Sequence, residues 1–277
     1  YMNLSVMSLE IAVLALGLGV LLLDLWTPPE RKRWLGYGAA AGLAAILAYS
    51  FIGFDAATPL YAFGQSYVLD GLALFFKRFF LVAAIIVLFI TVEYADRIPA
   101  GISEYYGLLI FALSGMLFAA SANDFTLLFV SVELITVTFY ILTSFQRGRL
   151  SSLEAGVKYL ILGAMSTAFT VYGIALVFGT SGTMSFPVLA EKAGGLLGNR
   201  LFLLGLLLVL AGLGFKIAAF PMQIWAPDVY QGAPSPTTAF LAVGSKAAGF
   251  VLLLRVLFGA VPQRSEEHTS ELQSPYV

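Results

Sequence analysis

The stretch GFKIAAFPMQIW, residues 214–225, sets one lysine, Lys216, in an otherwise apolar run and places Pro221 five positions after it. Proline has no N–H for the carbonyl four residues back, here that of Ile217, and its ring clashes with that turn. The helix is therefore predicted to kink or break just after Lys216. Within a bilayer, broken helices are tolerated only where the freed backbone is buried in protein or lines water, so Lys216 is predicted at a break that water reaches. The competing reading is that Pro221 merely ends the span. MQIWAPDVY then runs along the membrane surface, with Trp225 and Tyr230 in an aromatic belt.

The rest of the sequence makes a bilayer the setting. Of 277 residues, 60% are hydrophobic and 11% charged, and the mean hydropathy is +0.91, far outside soluble composition. The formal net charge is −1, with no basic face for nucleic acid, which excludes that class of partner. There is no cysteine, and the single histidine, His268, lies in a polar tail. Cysteine-ligated iron–sulfur clusters and structural zinc thus have no ligand set here. Any redox chemistry is expected in another chain. Without a usable histidine or cysteine there is no nucleophile-and-base arrangement, and the glycines are scattered through helices rather than following a strand as a phosphate loop requires.

Measured against about 20 apolar residues per crossing, eight segments emerge: 4–25, 34–54, 71–92, 105–121, 125–145, 153–178, 201–225 and 236–258. The fold class is all-α, a polytopic membrane bundle whose seventh helix is discontinuous. Turn chemistry separates the runs: Thr27-Pro28-Pro29, Ile98-Pro99-Ala100-Gly101, and the glycine-rich residues 179–182. With the N-terminus outside, Arg31, Lys32, Arg33, Arg97, Arg147 and Arg149 fall in cytoplasmic loops, against Lys192 and Arg200 in external ones. This bias predicts that orientation. The final RSEEHTSELQSPYV, residues 264–277, breaks with everything before it in polarity. It resembles the in-frame translation of a DNA-sequencing adapter and is set aside from the fold.

Three charges stand within spans: Glu133 near the centre of the fifth, Lys216 in the second half of the seventh, and Lys246 in the middle of the eighth. A charge at mid-bilayer costs roughly 2.5–3.5 kcal/mol on insertion scales, so it faces protein or water and has a partner. A Glu–Lys pair that merely locks helices is one reading. Desolvation offsets the Coulomb gain of such a pair, however, and two lysines share one central glutamate. Burial disfavours the charged form of an ammonium, which suits a group that releases and recovers protons. This favours a proton relay. At about 4 Å and an effective dielectric of about 20 the pair energy is ~4 kcal/mol, ample to tip a lysine between protonation states. Glu154 and Lys158, four apart, read equally as an end-of-helix salt bridge or a channel entrance. Lys77 and Arg78 are expected to pair with Asp70, Asp124 or headgroups, and Asp228 to be a turn or cap residue.

The residues GFKIAAFPMQIWAPDVYQGAPSPTTAFLAVGSKAAGF (214–250) and FVSVELITVTFYIL carry a resemblance to the antiporter-like membrane subunits of respiratory complex I, most closely those of the subunit N type. The resemblance extends through Gln263. It implies a proton-translocating subunit of an NADH:quinone oxidoreductase, with NADH, flavin, iron–sulfur clusters and quinone held by partner subunits. Glu133 matches the family's fifth-span glutamate, Lys216 the lysine on the discontinuous helix, Lys246 the next relay lysine, and Lys158 a sixth-span lysine counted with the relay. Residues 1–100 then hold spans one to three, and 101–263 hold spans four to eight, a half-channel open to the cytoplasm. An inverted copy forming the outlet is expected beyond this sequence. Where relatives carry a histidine after the broken helix, Gln223 stands, which can orient water but cannot titrate. The same superfamily includes sodium/proton antiporter and membrane-bound hydrogenase subunits, and a structural bundle with an inert ion pair is the third alternative.

Overall fold

The computed structural model describes residues 4–54, 58–98 and 101–260. The adapter-like tail, His268, Gln263 and the Pro99-Ala100 turn lie outside the described residues. The long helices are α1 (Ser8–Asp24), α2 (Lys32–Ile52), α3 (Gly71–Tyr94), α4 (Ile102–Ala120), α5 (Phe125–Thr143) and α6 (Leu150–Ser181). Shorter helices follow: α7 (Phe186–Leu196), α8 (Arg200–Lys216), α9 (Trp225–Gly232), α10 (Ser235–Phe240) and α11 (Lys246–Gly259), with a π-helical turn at Leu241–Ser245 between the last two.

Seven helical stretches are long and apolar enough to cross a membrane, and the chain is a multi-pass membrane protein. The expected seventh span, 201–225, is not among them because its helix stops at Lys216. Several starts are fixed by side-chain caps, which satisfy otherwise orphaned amides. Asp70 accepts from the Ala73 amide at 2.8 Å, Asp124 from Leu127 at 2.7 Å, and Asn199 from Leu201 at 2.9 Å.

The bundle is organised around α4, which packs against α1, α2, α3, α5 and α11 and buries residues on every side, including Tyr105 and Tyr106. Large apolar residues such as Leu22, Ile52, Ile161 and Leu207 are instead exposed on the outside of the bundle. An apolar outer surface of this kind suits lipid or neighbouring apolar protein, so within the described residues only the inward stripe of each outer helix is packed.

Helix α8 packs chiefly along α6, at a crossing that two glycines make possible. A Cβ on Gly173 would stand 2.6 Å from the Gly205 carbonyl oxygen and 2.8 Å from the Val209 amide; one on Gly205 would meet the Gly173 carbonyl at 2.9 Å. Backbone cannot give way as a side-chain tip can, so close approach here requires glycine. Gly173→Val is expected to force α6 and α8 apart and lower stability by roughly 1–3 kcal/mol, read as a drop in the thermal unfolding midpoint in detergent.

Two elements were not foreseen. Strands β1 (Leu60–Ala62) and β2 (Tyr67–Leu69) form an antiparallel hairpin. It is pinned to the α4–α5 connection by Val68 N–H to the Ser121 carbonyl (3.0 Å) and Asn123 N–H to the Ser66 carbonyl (2.9 Å). Helix α7 covers one end of the bundle, burying Phe186 and Leu189 completely.

The pairing of the early-span cations also differs from expectation. Lys77 is fully buried and pairs at 2.6 Å with Glu10 of α1, itself fully buried, while donating to the Tyr67 hydroxyl at 2.6 Å. Burial, with the Glu10 charge, holds the Tyr67 phenol well above its ordinary titration range, so it stays a donor toward Glu10 at 3.0 Å. Arg78 reaches Ser50, its Nη2 donating to the carbonyl at 2.7 Å. Asp70 is taken by Arg255 of α11 in a two-pronged pair of 2.6 and 2.7 Å. Burial pushes the Asp70 carboxyl up, but the Arg255 bonds and charge and the Ala73 amide outweigh it, so the group is held below its ordinary value. A carboxyl depressed on folding adds stability above its unfolded value of 3.8 and loses it as pH falls through the lower folded value. Asp124 serves as a cap, not as a partner for Lys77.

Candidate functional site

The break after Lys216 is built as the proline predicts. Ala218 adopts a left-handed φ of 55°, and Ile217 and Ala218 close the helix by bonding back to the carbonyls of Leu213 and Phe215. A 3₁₀ turn, Met222–Ile224, then leads into α9. Trp225 is not in an aromatic belt. Its indole is 2% exposed, stacked between Tyr159 at 4.9 Å and Phe215 at 5.5 Å, and its Nε1–H donates to the Phe215 carbonyl at 2.9 Å. The indole thus satisfies a carbonyl next to the break and ties α9 back onto α8.

Lys216 is 7% exposed, and its Nζ donates to the Thr136 hydroxyl of α5 at 2.7 Å. That hydroxyl donates in turn to the Val132 carbonyl at 2.6 Å. Glu133 is one helical turn before Thr136, half-buried, and accepts from Thr167 of α6 at 2.7 Å. Glu133 and Lys216 are therefore not in the direct ion-pair contact assumed from sequence; each is held by a neutral hydroxyl, and Glu133 and Thr136 stand about 4.5 Å apart along the α5 axis. A hydroxyl both donates and accepts, so Thr136 can serve the ammonium and the amine alike.

Beside Lys216 lies a cavity of ≈ 10 Å³ bordered by Thr136, Ser245 and Gly249, about the space one water requires. Ser245 closes the π turn, and Lys246 follows it as the first residue of α11. π turns widen a helix locally and gather at functional sites. Lys246 is half-buried, with its ammonium 5.4 Å from the centre of the Tyr230 ring. The cavity thus reaches from Lys216 to Ser245, the residue before Lys246, while the Lys246 ammonium itself lies toward Tyr230.

Lys158 stands apart. Its side chain is 43% exposed and pairs at 2.8 Å with both Glu154 and Asp228. Asp228 is accordingly a partner carboxylate on α9, not a turn or cap residue. Pro221 and Gln223 are exposed on this chain at the break. Sequence reasoning did not single out Thr136, Thr167, Ser245 or the buried role of Trp225. For Thr136 the available signal was a hydroxyl at helical spacing from Glu133 within an apolar span; the others sit on other helices.

This arrangement can be set beside known proteins. The family model described as NADH:quinone oxidoreductase/Mrp antiporter, TM, matches residues 122–269. The NADH-quinone oxidoreductase subunit N of Moorella thermoacetica is 44% identical over 94% of this chain and 54% of its own length. The F420H2 dehydrogenase subunit N of Methanosarcina mazei is 38% identical over 91% of this chain and 52% of its own. Among solved structures, respiratory complex I from Thermus thermophilus aligns with a TM-score of 0.73 and 32% identity, covering 92% of this chain and 53% of the matched one. The chain spans about half the length of the curated relatives it matches. On the family match and the bundle that carries it, the chain belongs to the NADH:quinone oxidoreductase/Mrp antiporter transmembrane family.

Proposed function

We propose that this chain is a proton-translocating membrane component of the subunit N type in an NADH:quinone oxidoreductase, and that Lys216 and Lys246 pass the proton under the influence of Glu133. The observation that carries this is a lysine buried at a helix break against a neutral hydroxyl, with room for one water toward the π turn that precedes the next lysine. An ammonium locked into a structural role would be expected to face a carboxylate.

A conformational or electrostatic signal from redox subunits moves Glu133 relative to Lys216. Closer approach stabilises the ammonium and retreat releases its proton through the intervening water toward Lys246. Lys158, in its exposed carboxylate network, stands nearer the entrance than the relay, and Gln223 orients water without titrating. NADH, flavin, iron–sulfur clusters and quinone belong to partner subunits, as does the choice of electron donor. The Methanosarcina relative, named as part of an F420H2 dehydrogenase, supports that separation.

The discriminating experiment replaces Glu133 and Lys216 together, as Glu133→Gln with Lys216→Met, in the full-length chain within its assembled complex. Protons moved per quinone reduced should fall sharply while the complex still assembles. Undiminished transport would leave a bundle with inert buried charges.

A further inference from the structure

At the end of the bundle where α3 and α5 finish and α4 and α6 begin, a cavity of ≈ 690 Å³ opens between the two connections. Its wall includes Arg97, Arg147 and Arg149, with Glu104 as the acidic member. Among the described residues none of the three guanidinium groups is in ion-pair contact with a carboxylate. Arg149 donates one Nη1 bond to Gln146 at 3.0 Å, and Gln146 is tethered to the Arg97 carbonyl at 3.0 Å, so the two connections are held in register. Arg97 lies over the Tyr94 ring at 5.4 Å. On the same wall, Phe145 meets Tyr105 edge-on at 5.0 Å, and Ile141, one turn down α5 from Phe145, is 47% exposed.

We infer that this cavity binds the phosphate of an anionic phospholipid, with Arg97, Arg147 and Arg149 around the headgroup and an acyl chain descending along Phe145 and Ile141. The chemistry is asymmetric in the way such a ligand needs. Guanidinium forks match phosphate oxygens in pairs, three cations face one carboxylate, and basic pockets between helices at the membrane surface suit anionic headgroups. The depth of the site agrees, since it lies where membrane-crossing helices end and phosphate groups begin. A water-soluble anion would use the arginines but have no use for the apolar wall. A protein carboxylate would likewise leave Ile141 without a role.

The test uses the full-length chain in its assembled complex, placed in nanodiscs of phosphatidylcholine with increasing phosphatidylglycerol, and counts retained anionic lipid by native mass spectrometry. Arg147→Ser with Arg149→Ser, both exposed, is expected to weaken retention on the order of 30-fold. Ile141→Ser should weaken it by a smaller factor with all three arginines present. Equal retention by wild type and the double arginine variant overturns the proposal. So does displacement of the lipid by millimolar inorganic phosphate with no effect of Ile141→Ser, which marks a free-anion site. Loss of a neighbouring subunit with lipid retention unchanged assigns the arginines to a protein contact and overturns it equally.

Discussion

Replacing Lys216 by alanine in the assembled complex is expected to remove most proton translocation, with a loss of at least tenfold in protons moved per quinone reduced, while the bundle stays folded. The ammonium is the group at the break that can carry the proton, and alanine leaves a space that water fills without a titratable site. Folding should survive because the Thr136 hydroxyl keeps its bond to Val132 and the break is held independently by Trp225 on the Phe215 carbonyl. Thr136→Val tests the geometry from the other side. It removes the hydroxyl that serves Lys216 in both protonation states, so translocation should slow by a smaller factor than in Lys216→Ala. Assembly and quinone binding should not change, measured by blue native electrophoresis and the quinone KM.

The second large effect concerns stability. Glu10→Ala leaves the Lys77 ammonium fully buried with the Tyr67 hydroxyl as its remaining close partner. Removing one member of a buried ion pair typically costs about 3–5 kcal/mol, because the remaining charge is uncompensated. The unfolding midpoint of the detergent-solubilised complex should fall by on the order of 10 °C. Glu10→Met combined with Lys77→Met removes both charges at similar volume and should restore most of the loss or exceed wild type. If the single and double variants are equally destabilised, the pair is not what joins α1 to α3.

The physical origin of each feature decides how far it could be read from sequence. Span positions were legible because bilayer thickness fixes a length, and Pro28 and Gly182 mark ends by local chemistry; Asp70 and Asp124, read as partners for cations, turned out to be helix caps. The break at Lys216 was legible for the same reason: Pro221 acts on its own backbone. Pairings were not. Lys77 finds Glu10 across 67 residues of sequence, and Arg255 finds Asp70 across 185, so each partner follows from how helices pack. The burial of Trp225 was not legible, and the competing aromatic-belt reading stayed open, because an indole near a predicted helix end suits a membrane interface as well as a buried stack. The β-hairpin has strands of three residues, too short to show alternation. At the candidate site, the charges Glu133, Lys216 and Lys246 were conspicuous against apolar surroundings. The threonine hydroxyls that hold Glu133 and Lys216 were not, since threonine is unremarkable in a membrane helix.

The central claim is that Lys216 changes its protonation state as the complex works. Isotope-edited infrared difference spectroscopy, with ¹⁵N-lysine and a Lys216→Met reference, compares the complex with its redox subunits oxidised and reduced. The account predicts an ammonium deformation band that is assigned to Lys216 by its absence in the variant and that loses intensity in one redox state. An identical ammonium signal from Lys216 in both states, in a complex that pumps normally, would contradict it.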